Sequence, residues 1–399
     1  MQIDIPELSL VTLIGASEGE KSVFFKANFN ASEVLTFDYF KDLIEDESEQ
    51  ITQEDILNAL YDVAGKRLRD AKLTVIDADN TQEKERKRVV TLAKKHHCFP
   101  VAIVFNDLLS IEEKAHKISS LEKEGFRYVY VFTGEEEARQ AEVLRTKLYN
   151  NKRDIHGPFD IIGDVHGCYD ELCELLEKLG YVVDRDKYSA YSPEGRIAAF
   201  TGDLVDRGPK SAAVLRLVMS MIKEGTAYCT LGNHDGKLQR KLKGANVKIA
   251  HGLEITLEEL SHEPEAFVEE VKQFLDKLIS HYVFDDGKLV VAHAGLKEKL
   301  HGRGSKNIRN LAMFGETTGK VDKLGLPIRL NWAKGYHGKA FVVYGHTPRE
   351  SVKIMNNTAN IDTGCVFGGK LTALRYPEKE IVDVKVKAVY YEPSRPLLK

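Results

Sequence analysis

Phe159-Asp160-Ile161-Ile162-Gly163-Asp164-Val165-His166-Gly167 is the stretch that decides how this chain reads. A run of strand length gives way to a carboxylate and an imidazole two residues apart, set between glycines. That is how a strand hands ligands to a loop. The construction recurs: Ala198-Ala199-Phe200 runs into Gly202-Asp203-Leu204-Val205-Asp206-Arg207-Gly208, and Tyr228 to Leu231 into Gly232-Asn233-His234-Asp235. Leu289 to Val291 then leads to His293, and Phe341 to Tyr344 to Gly345-His346. In an open α/β sheet the carboxyl ends of the strands gather at one edge, where ligands bind. The pattern therefore expects residues far apart in sequence to converge on one site.

Outward from that core, 399 residues exceed what one hydrophobic core usually covers, so two or three domains are expected. A content of 43% hydrophobic and 30% charged residues is that of a globular chain and excludes a disordered one. The formal charge of −4 leaves any nucleic-acid contact to a local basic patch. Cys98, Cys168, Cys173, Cys229 and Cys365 are odd in number and form no CxxC pair, which argues against a disulfide framework or zinc knuckle and fits reduced thiols in the cytoplasm. Residues 1–7 show neither a basic start nor a long apolar core, and no apolar run reaches the roughly 20 residues of a membrane helix. A cytoplasmic protein without signal peptide or membrane contact is the expectation.

Residues 1–150 are expected to form a first α/β domain. Leu10 to Ile14, Val34 to Phe37, Leu73 to Ile76, Val101 to Phe105 and Tyr128 to Phe132 read as strands. Between them lie helical patterns, the clearest opening at Thr52, where Thr52 and Asp55 make a capping-box-like start and Ile56, Leu57, Leu60, Val63 and Ala64 share a face. Such alternation expects a parallel sheet covered on both sides. After the first strand, Gly15-Ala16-Ser17-Glu18-Gly19-Glu20-Lys21-Ser22 approaches the phosphate loop GxxxxGK[ST], whose amides cradle phosphates while Lys and Ser serve the β/γ-phosphates and magnesium. Gly15, Lys21 and Ser22 are thus candidate binding residues for ATP with Mg2+. Glu20 stands where the second glycine belongs, and its carboxylate would meet phosphate with like charge. A strand-to-helix turn that only looks like a nucleotide loop is the alternative.

A polar stretch ending in Gly157-Pro158 separates the halves, with residues 151–158 as linker and 159–399 as second domain. Leu172, Leu175, Leu176 and Leu179 recur at helical spacing and Gly180 follows as terminator, so the first ligand loop should feed a helix packed on the sheet. Taken in order, the five motifs resemble the phosphoprotein-phosphatase branch of the calcineurin-like metallophosphoesterases. The resemblance implies an α/β sandwich with two divalent metal ions, manganese by family habit. It implies that Asp164 and His166 hold one metal, Asp203 bridges, and Asn233, His293 and His346 hold the other. His234 would donate a proton to the leaving oxygen or fix the scissile phosphate, oriented by Asp206. Arg207 and Arg329 would supply forked donors to phosphate, with Asn233 on the substrate as well. Asp362 falls at the site margin, where a turn-capping role is equally open. A donor set of oxygen and nitrogen without thiolate also suits iron, zinc, cobalt or nickel.

The whole chain resembles the bacterial polynucleotide kinase-phosphatases of RNA repair, a P-loop kinase-like parallel-sheet domain followed by the metallophosphoesterase. In that family an aspartate matching Asp38 acts as base on the RNA 5′-hydroxyl, and Lys41 stands where an arginine holds the acceptor. Asp77-Ala78-Asp79-Asn80 followed by Arg86 resembles the family's next strand end and helix. The family's arginine-rich lid has no counterpart, because Asn106 to Glu124 contains no arginine. The implied function is removal of RNA 2′,3′-cyclic phosphate and terminal 2′/3′-phosphate, with a degenerate 5′-kinase module. Implied partners are broken tRNA-like RNA ends, a separate RNA ligase and an RNA 3′-terminal ribose methyltransferase, with a homodimer as a further arrangement. A Ser/Thr protein phosphatase, a dinucleoside-polyphosphate hydrolase, a kinase still active and a scaffold are the alternatives. His156, His251, His281, His301 and His337 read as surface or satisfied core residues. The run Lys237 to Lys243 reads first as a solvated helix face and second as an RNA contact. Ile381 to Tyr391 reads as a half-solvated terminal strand.

Overall fold

In a computed structural model, the residues described are 2–15, 18–44, 51–105, 110–323, 325 and 327–398. The chain divides into two compact units, Met1–Leu148 with Arg303–Ser305, and Tyr149–Gly302 with Lys306–Lys399.

The first unit is built on five parallel strands in the order Val34–Thr36, Thr74–Asp77, Ser9–Ile14, Phe99–Phe105 and Tyr128–Phe132. Successive side chains alternate between faces. Leu10, Ile76, Ala102 and Val104 therefore enter one buried cluster, while Val11, Leu13, Val75, Val101 and Ile103 enter the other. Burial on both faces is why these strands read as continuous apolar runs. Helix Gln53–Arg69 opens at Thr52, whose hydroxyl accepts the Asp55 amide at 3.3 Å while Asp55 accepts the Thr52 amide at 3.0 Å. Strand Val34–Thr36 stops one residue short of the expected end. The Thr36 hydroxyl accepts the Tyr39 amide at 3.2 Å, and Phe37 opens helix Phe37–Ile44. Ala16 and Ser17 of the loop lie outside the described residues, as do 106–109, so the interval searched for a lid is seen only from residue 110, with Ser110 capping helix Ile111–Glu124.

The second unit is a sandwich of two sheets. One runs Ala227–Cys229, Ile197–Phe200, Phe159–Ile162, Lys370–Tyr376, Glu380–Lys385. The other runs Lys353–Met355, Thr358–Asn360, Phe341–Tyr344, Leu289–Ala292, His281–Phe284, Asn151–Lys152. Phe159, Ile161, Ala199 and Leu374 from the first meet Phe284, Leu289, Val291, Phe341 and Val343 from the second in one cluster. Each of these side chains other than Ala199 contributes about 1.5–3 kcal/mol on full burial. The opposite face of the first sheet is covered by helices Tyr169–Lys178 and Ser211–Lys223, through Leu172, Leu175, Leu176, Val214 and Val218. Phe159–Ile162, Ile197–Phe200 and Ala227–Cys229 run parallel, as do Leu289–Ala292 and Phe341–Tyr344, so within each sheet the ligand loops leave by the same edge.

Further boundaries differ from expectation, two of them for a clear reason. The stretch expected as linker, 151–158, carries an edge strand of this sandwich. Asn151 and Lys152 pair with Val283 and Phe284, and the Ile155 carbonyl accepts the Asp285 amide at 3.0 Å. Its polarity is that of a solvent-facing edge. The last strand ends at Lys385 and not at Tyr391, because the Gly369 amide opposite Val386 turns back to the Gly364 carbonyl and the amides of Tyr390 and Tyr391 go to Val366. Among the described residues no helix is long and apolar enough to cross a membrane.

Candidate metal centre

Asp203 sits where the loops meet. It is buried, at positive φ (50°), and its Oδ1 accepts the His234 amide at 2.8 Å. Its Oδ2 lies 3.6 Å from His166 Nε2 and 3.4 Å from His293 Nε2. Two groups of ligand atoms, each within 4.8 Å of one another, share this residue: His166, Asp203 and His234, and Asp203, His293 and His346. Asn233 Oδ1 is 3.1 Å from His293 Nε2, and His346 Nδ1 is 2.9 Å from that same nitrogen.

The imidazoles are fixed from behind. His166 Nδ1 donates to the Val205 carbonyl at 2.9 Å, and His293 Nδ1 to the Thr201 carbonyl at 3.0 Å. Each Nε2 is thereby aimed at Asp203, as an outer hydrogen bond orients the ring of a metal-binding histidine. His346 Nε2 is buried with no hydrogen-bond partner among the described residues. Clustered carboxylates and inward-facing imidazole nitrogens, His346 Nδ1 among them, make an oxygen-and-nitrogen donor set that fits divalent cations.

Electrostatics say the same. Burial opposes the charge on Asp203, yet His293, His234 and His166 outweigh it and hold its carboxyl well below the usual range. Burial also works against charge on His293, but Asp203 and Asp164 push its imidazole up to about 9. Asp164 is held well above the usual range by burial and by the neighbouring Asp362. Protein groups here partly neutralise one another, a role a bound cation would take over.

Asp164 differs from expectation in its surroundings. The close group at His166 contains His234, while Asp164 Oδ1 accepts Thr201 Oγ1 at 3.1 Å and Oδ2 accepts the His346 amide at 2.9 Å. Each oxygen keeps a second lone pair, so these contacts orient the carboxylate and leave it able to ligate. His234 Nδ1 lies 2.7 Å from Asp206 Oδ2, and Asp206 Oδ1 accepts Thr256 Oγ1 at 2.8 Å. Arg207 donates to His166 Nε2 at 2.8 Å, and its Nε is buried with no hydrogen-bond partner among the described residues. Arg329 is exposed on strand Pro327–Arg329, yet its guanidinium acts electrostatically on His346 and feels Asp203 and Asp362. Asp362 caps a turn, accepting the Gly364 amide at 3.1 Å, and burial first of all pushes its carboxyl up to about 6.

Sequence reasoning passed over Asp235. Its carboxylate accepts the amides of Asp203 (2.8 Å), Leu204 (2.9 Å) and Gly232 (3.0 Å), clamping two ligand loops together. The signal was there, since Asp235 closes the Gly-Asn-His-Asp motif. The solitary histidines stay outside the centre, although His156 joins Asp285 and Asp286 in an exposed cluster. In the basic run, Lys237 donates to the Ala250 carbonyl, Lys243 pairs with Asp276, and Leu238 and Gln239 are buried.

In the first unit, Lys21 is 3% exposed and its Nζ lies 3.0 Å from Asp77 Oδ1. Burial raises the Asp77 carboxyl, with Lys21 opposing and with Asp38 and Asp79 adding negative charge. Ser22 is half-buried on helix Glu18–Asn28, and Asp38 is exposed in the first turn of its helix. Gly15, at φ 138°, is pressed against the Phe105 carbonyl, where a Cβ would come within 2.6 Å. Arg86 is engaged by Glu124 through two hydrogen bonds of 2.7 and 2.8 Å.

Known proteins agree with this division. Residues 10–155 match the AAA domain family, and the first unit has the P-loop-like parallel sheet. The bis(5′-nucleosyl)-tetraphosphatase PrpE (asymmetrical) of Halalkalibacterium halodurans is 47% identical over 230 residues, 57% of this chain and 93% of the relative. The proteins of that name from Anoxybacillus flavithermus and Bacillus subtilis are 44% and 45% identical, each over 243 residues and 98% of the relative. Residues 157–372, more than half of the chain, match the calcineurin-like phosphoesterases and contain every ligand of the two groups around Asp203, so the chain belongs to that family.

Proposed function

We propose that the second unit hydrolyses a phosphate ester at a nucleotide terminus, using two divalent cations held by Asp164, His166, Asp203, Asn233, His293 and His346. The observation that carries this reading is the sharing of Asp203 by two groups of ligand atoms beside a buried His234–Asp206 pair. When bound, paired cations neutralise the phosphate and lower the pKa of water to supply the nucleophile. The protein groups do the rest. Arg207 and Arg329 bind and orient the phosphate oxygens, with Asn233 beside them. His234, its Nδ1 on Asp206, turns its other nitrogen to the leaving oxygen and donates the proton there. Manganese is the cation that the family resemblance favours.

The substrate of this reading is an RNA end bearing a 2′,3′-cyclic phosphate or a terminal 2′- or 3′-phosphate. Its support is the joining of this centre to a P-loop-like unit, whereas a match spanning 93% of the PrpE relative leaves little of that protein for such a unit. Ligation then falls to a separate RNA ligase, and end modification to a terminal ribose methyltransferase, with the first unit docking them or a second copy of the chain. The identity of 44–47% with those relatives favours a second reading, asymmetrical cleavage of a dinucleoside tetraphosphate. Comparing kcat/KM on oligoribonucleotides with cyclic or 3′-phosphate ends, on dinucleoside tetraphosphates and on phosphopeptides separates the two. A preference for the tetraphosphate replaces the first reading with the second, and a preference for phosphopeptides overturns both.

A further inference from the structure

Next to the metal centre lies a cleft of about 110 Å³ that none of these roles explains. His346 forms part of its wall on the metal side, Trp332, Tyr344, Arg329, Asn331 and Arg349 line much of the remainder, and the one carboxylate in the lining, Glu316, is paired with Lys297 at 2.6 Å. Trp332 is anchored there. Its Nε1 donates to the Ala294 carbonyl at 3.1 Å, one residue past the ligand His293, and its ring lies so close to Gly295 that a Cβ there would come within 2.0 Å. Tyr344 ends the strand that delivers His346, and its ring centroid is 5.1 Å from that of Trp332, at 56°.

Rigid aromatic rings beside cationic side chains, open to a phosphate-handling centre, make the combination that receives a base with its phosphate. The volume is well under the roughly 300–1,000 Å³ of sites for drug-sized ligands, so it takes a single base and leaves the sugar and phosphate outside it, towards the metal centre. We propose that this cleft is the subsite for the nucleoside that carries the scissile phosphate, with its base against Trp332 and Tyr344, Asn331 at the base edge, and its phosphate reaching the metal centre past His346. The inference rests on the reading of the second unit as a hydrolase of nucleotide termini.

Trp332 is the single tryptophan of the chain, so tryptophan fluorescence reports on the surroundings of this one side chain. The test mixes the full-length, manganese-loaded protein with adenosine 3′-monophosphate, ribose 5-phosphate or inorganic phosphate in a stopped-flow instrument, exciting at the red edge to avoid absorption by the base. Saturable quenching by adenosine 3′-monophosphate is expected before turnover, with half-saturation matching its inhibition constant against an aryl phosphate. The two base-free probes should show no quenching and inhibit roughly tenfold more weakly. Competition by the nucleotide without any fluorescence change would sink the subsite and leave the hydrolase reading intact. Hydrolysis of the aryl phosphate with no competition or turnover of any nucleotide would sink that reading, and the subsite with it.

Discussion

His234 is held by two side chains in series, Asp206 and then Thr256, and the series predicts what each contributes. Asp206 fixes its Nδ1 at 2.7 Å, and Thr256 donates to the far oxygen of Asp206 at 2.8 Å. A general acid matters most where the leaving oxygen is basic, and it typically contributes 10²–10⁴-fold. His234→Ala is therefore expected to slow a ribonucleoside 3′-phosphate by about a hundredfold or more and an activated aryl phosphate far less. Equal losses on the two would remove its role as an acid. Thr256→Val keeps the shape and deletes the hydroxyl, so a loss of roughly 10- to 100-fold, skewed towards the same substrates, is expected for this supporting contact. Asp203→Asn should be the most damaging change in the centre, because both ligand groups lose their shared carboxylate. Manganese titrations monitored by calorimetry should then show weakened binding for both ions, and tight uptake of even one would count against the shared role. At this scale the gathering of side chains around Asp203 was legible wherever a candidate ligand followed a strand within a motif. Thr256 was not, because it lies on helix Leu253–Ser261, 50 residues from Asp206, and a lone threonine on an amphipathic helix carries no mark of the carboxylate it supports.

Elements matter through how closely their loops approach. Gly345 is the position at which a Cβ would come within 1.9 Å of Asp164 Oδ1, and Gly232 the one at which it would meet the Asp203 amide at 2.1 Å. These distances explain why strand ends carry glycine beside the ligand. Gly345→Ala should displace Asp164 and raise the manganese concentration needed for half-maximal activity, with thermal stability in excess manganese changing little by comparison. An unchanged manganese requirement would show that Asp164 tolerates displacement. Strand His281–Phe284 offers a separate test, away from the metal. His281 Nε2 accepts the Gly302 amide at 2.9 Å, and burial, with smaller effects of His301 and Arg153, lowers its pKa to about 3 from 6.5. The folded value lies below the unfolded one, so between them the unfolded chain binds a proton that the folded chain refuses. Stability is then lost as pH falls through this interval, at up to about 1.4 kcal/mol per pH unit for this group, and is regained above it. His281→Gln should flatten that slope in urea titrations between about pH 6 and 4, and an unchanged slope would assign the acid sensitivity to other groups. Strand positions in both units were legible from apolar runs. Their ends were not, because Thr36 and Val366 draw the chain out of the ladder by contacts that periodicity does not encode.

Taken as a whole, the molecule joins a centre whose parts agree with one another to a P-loop-like unit whose parts conflict. In the second unit every ligand loop has its backing hydrogen bonds. In the first, Lys21, which would have to reach a β/γ-phosphate, is buried against Asp77 at 3.0 Å, with Asp38 and Asp79 acting on the same carboxylate. Glu20 brings another carboxylate to the loop position where backbone must approach phosphate. Phosphoryl transfer depends on positioning and on cations that stabilise the transferring group, and a site with one engaged lysine among several carboxylates supplies little of either. The full-length protein is accordingly expected to transfer no label from γ-labelled ATP to a 5′-hydroxyl oligoribonucleotide while it still removes a 3′-phosphate from the same strand. Lys21→Ala should leave that second activity as it was, because the ligands around Asp203 all come from the other unit. Label appearing on the 5′ end and abolished by Lys21→Ala would show that ATP and magnesium draw Lys21 away from Asp77, and the first unit would then be a working kinase.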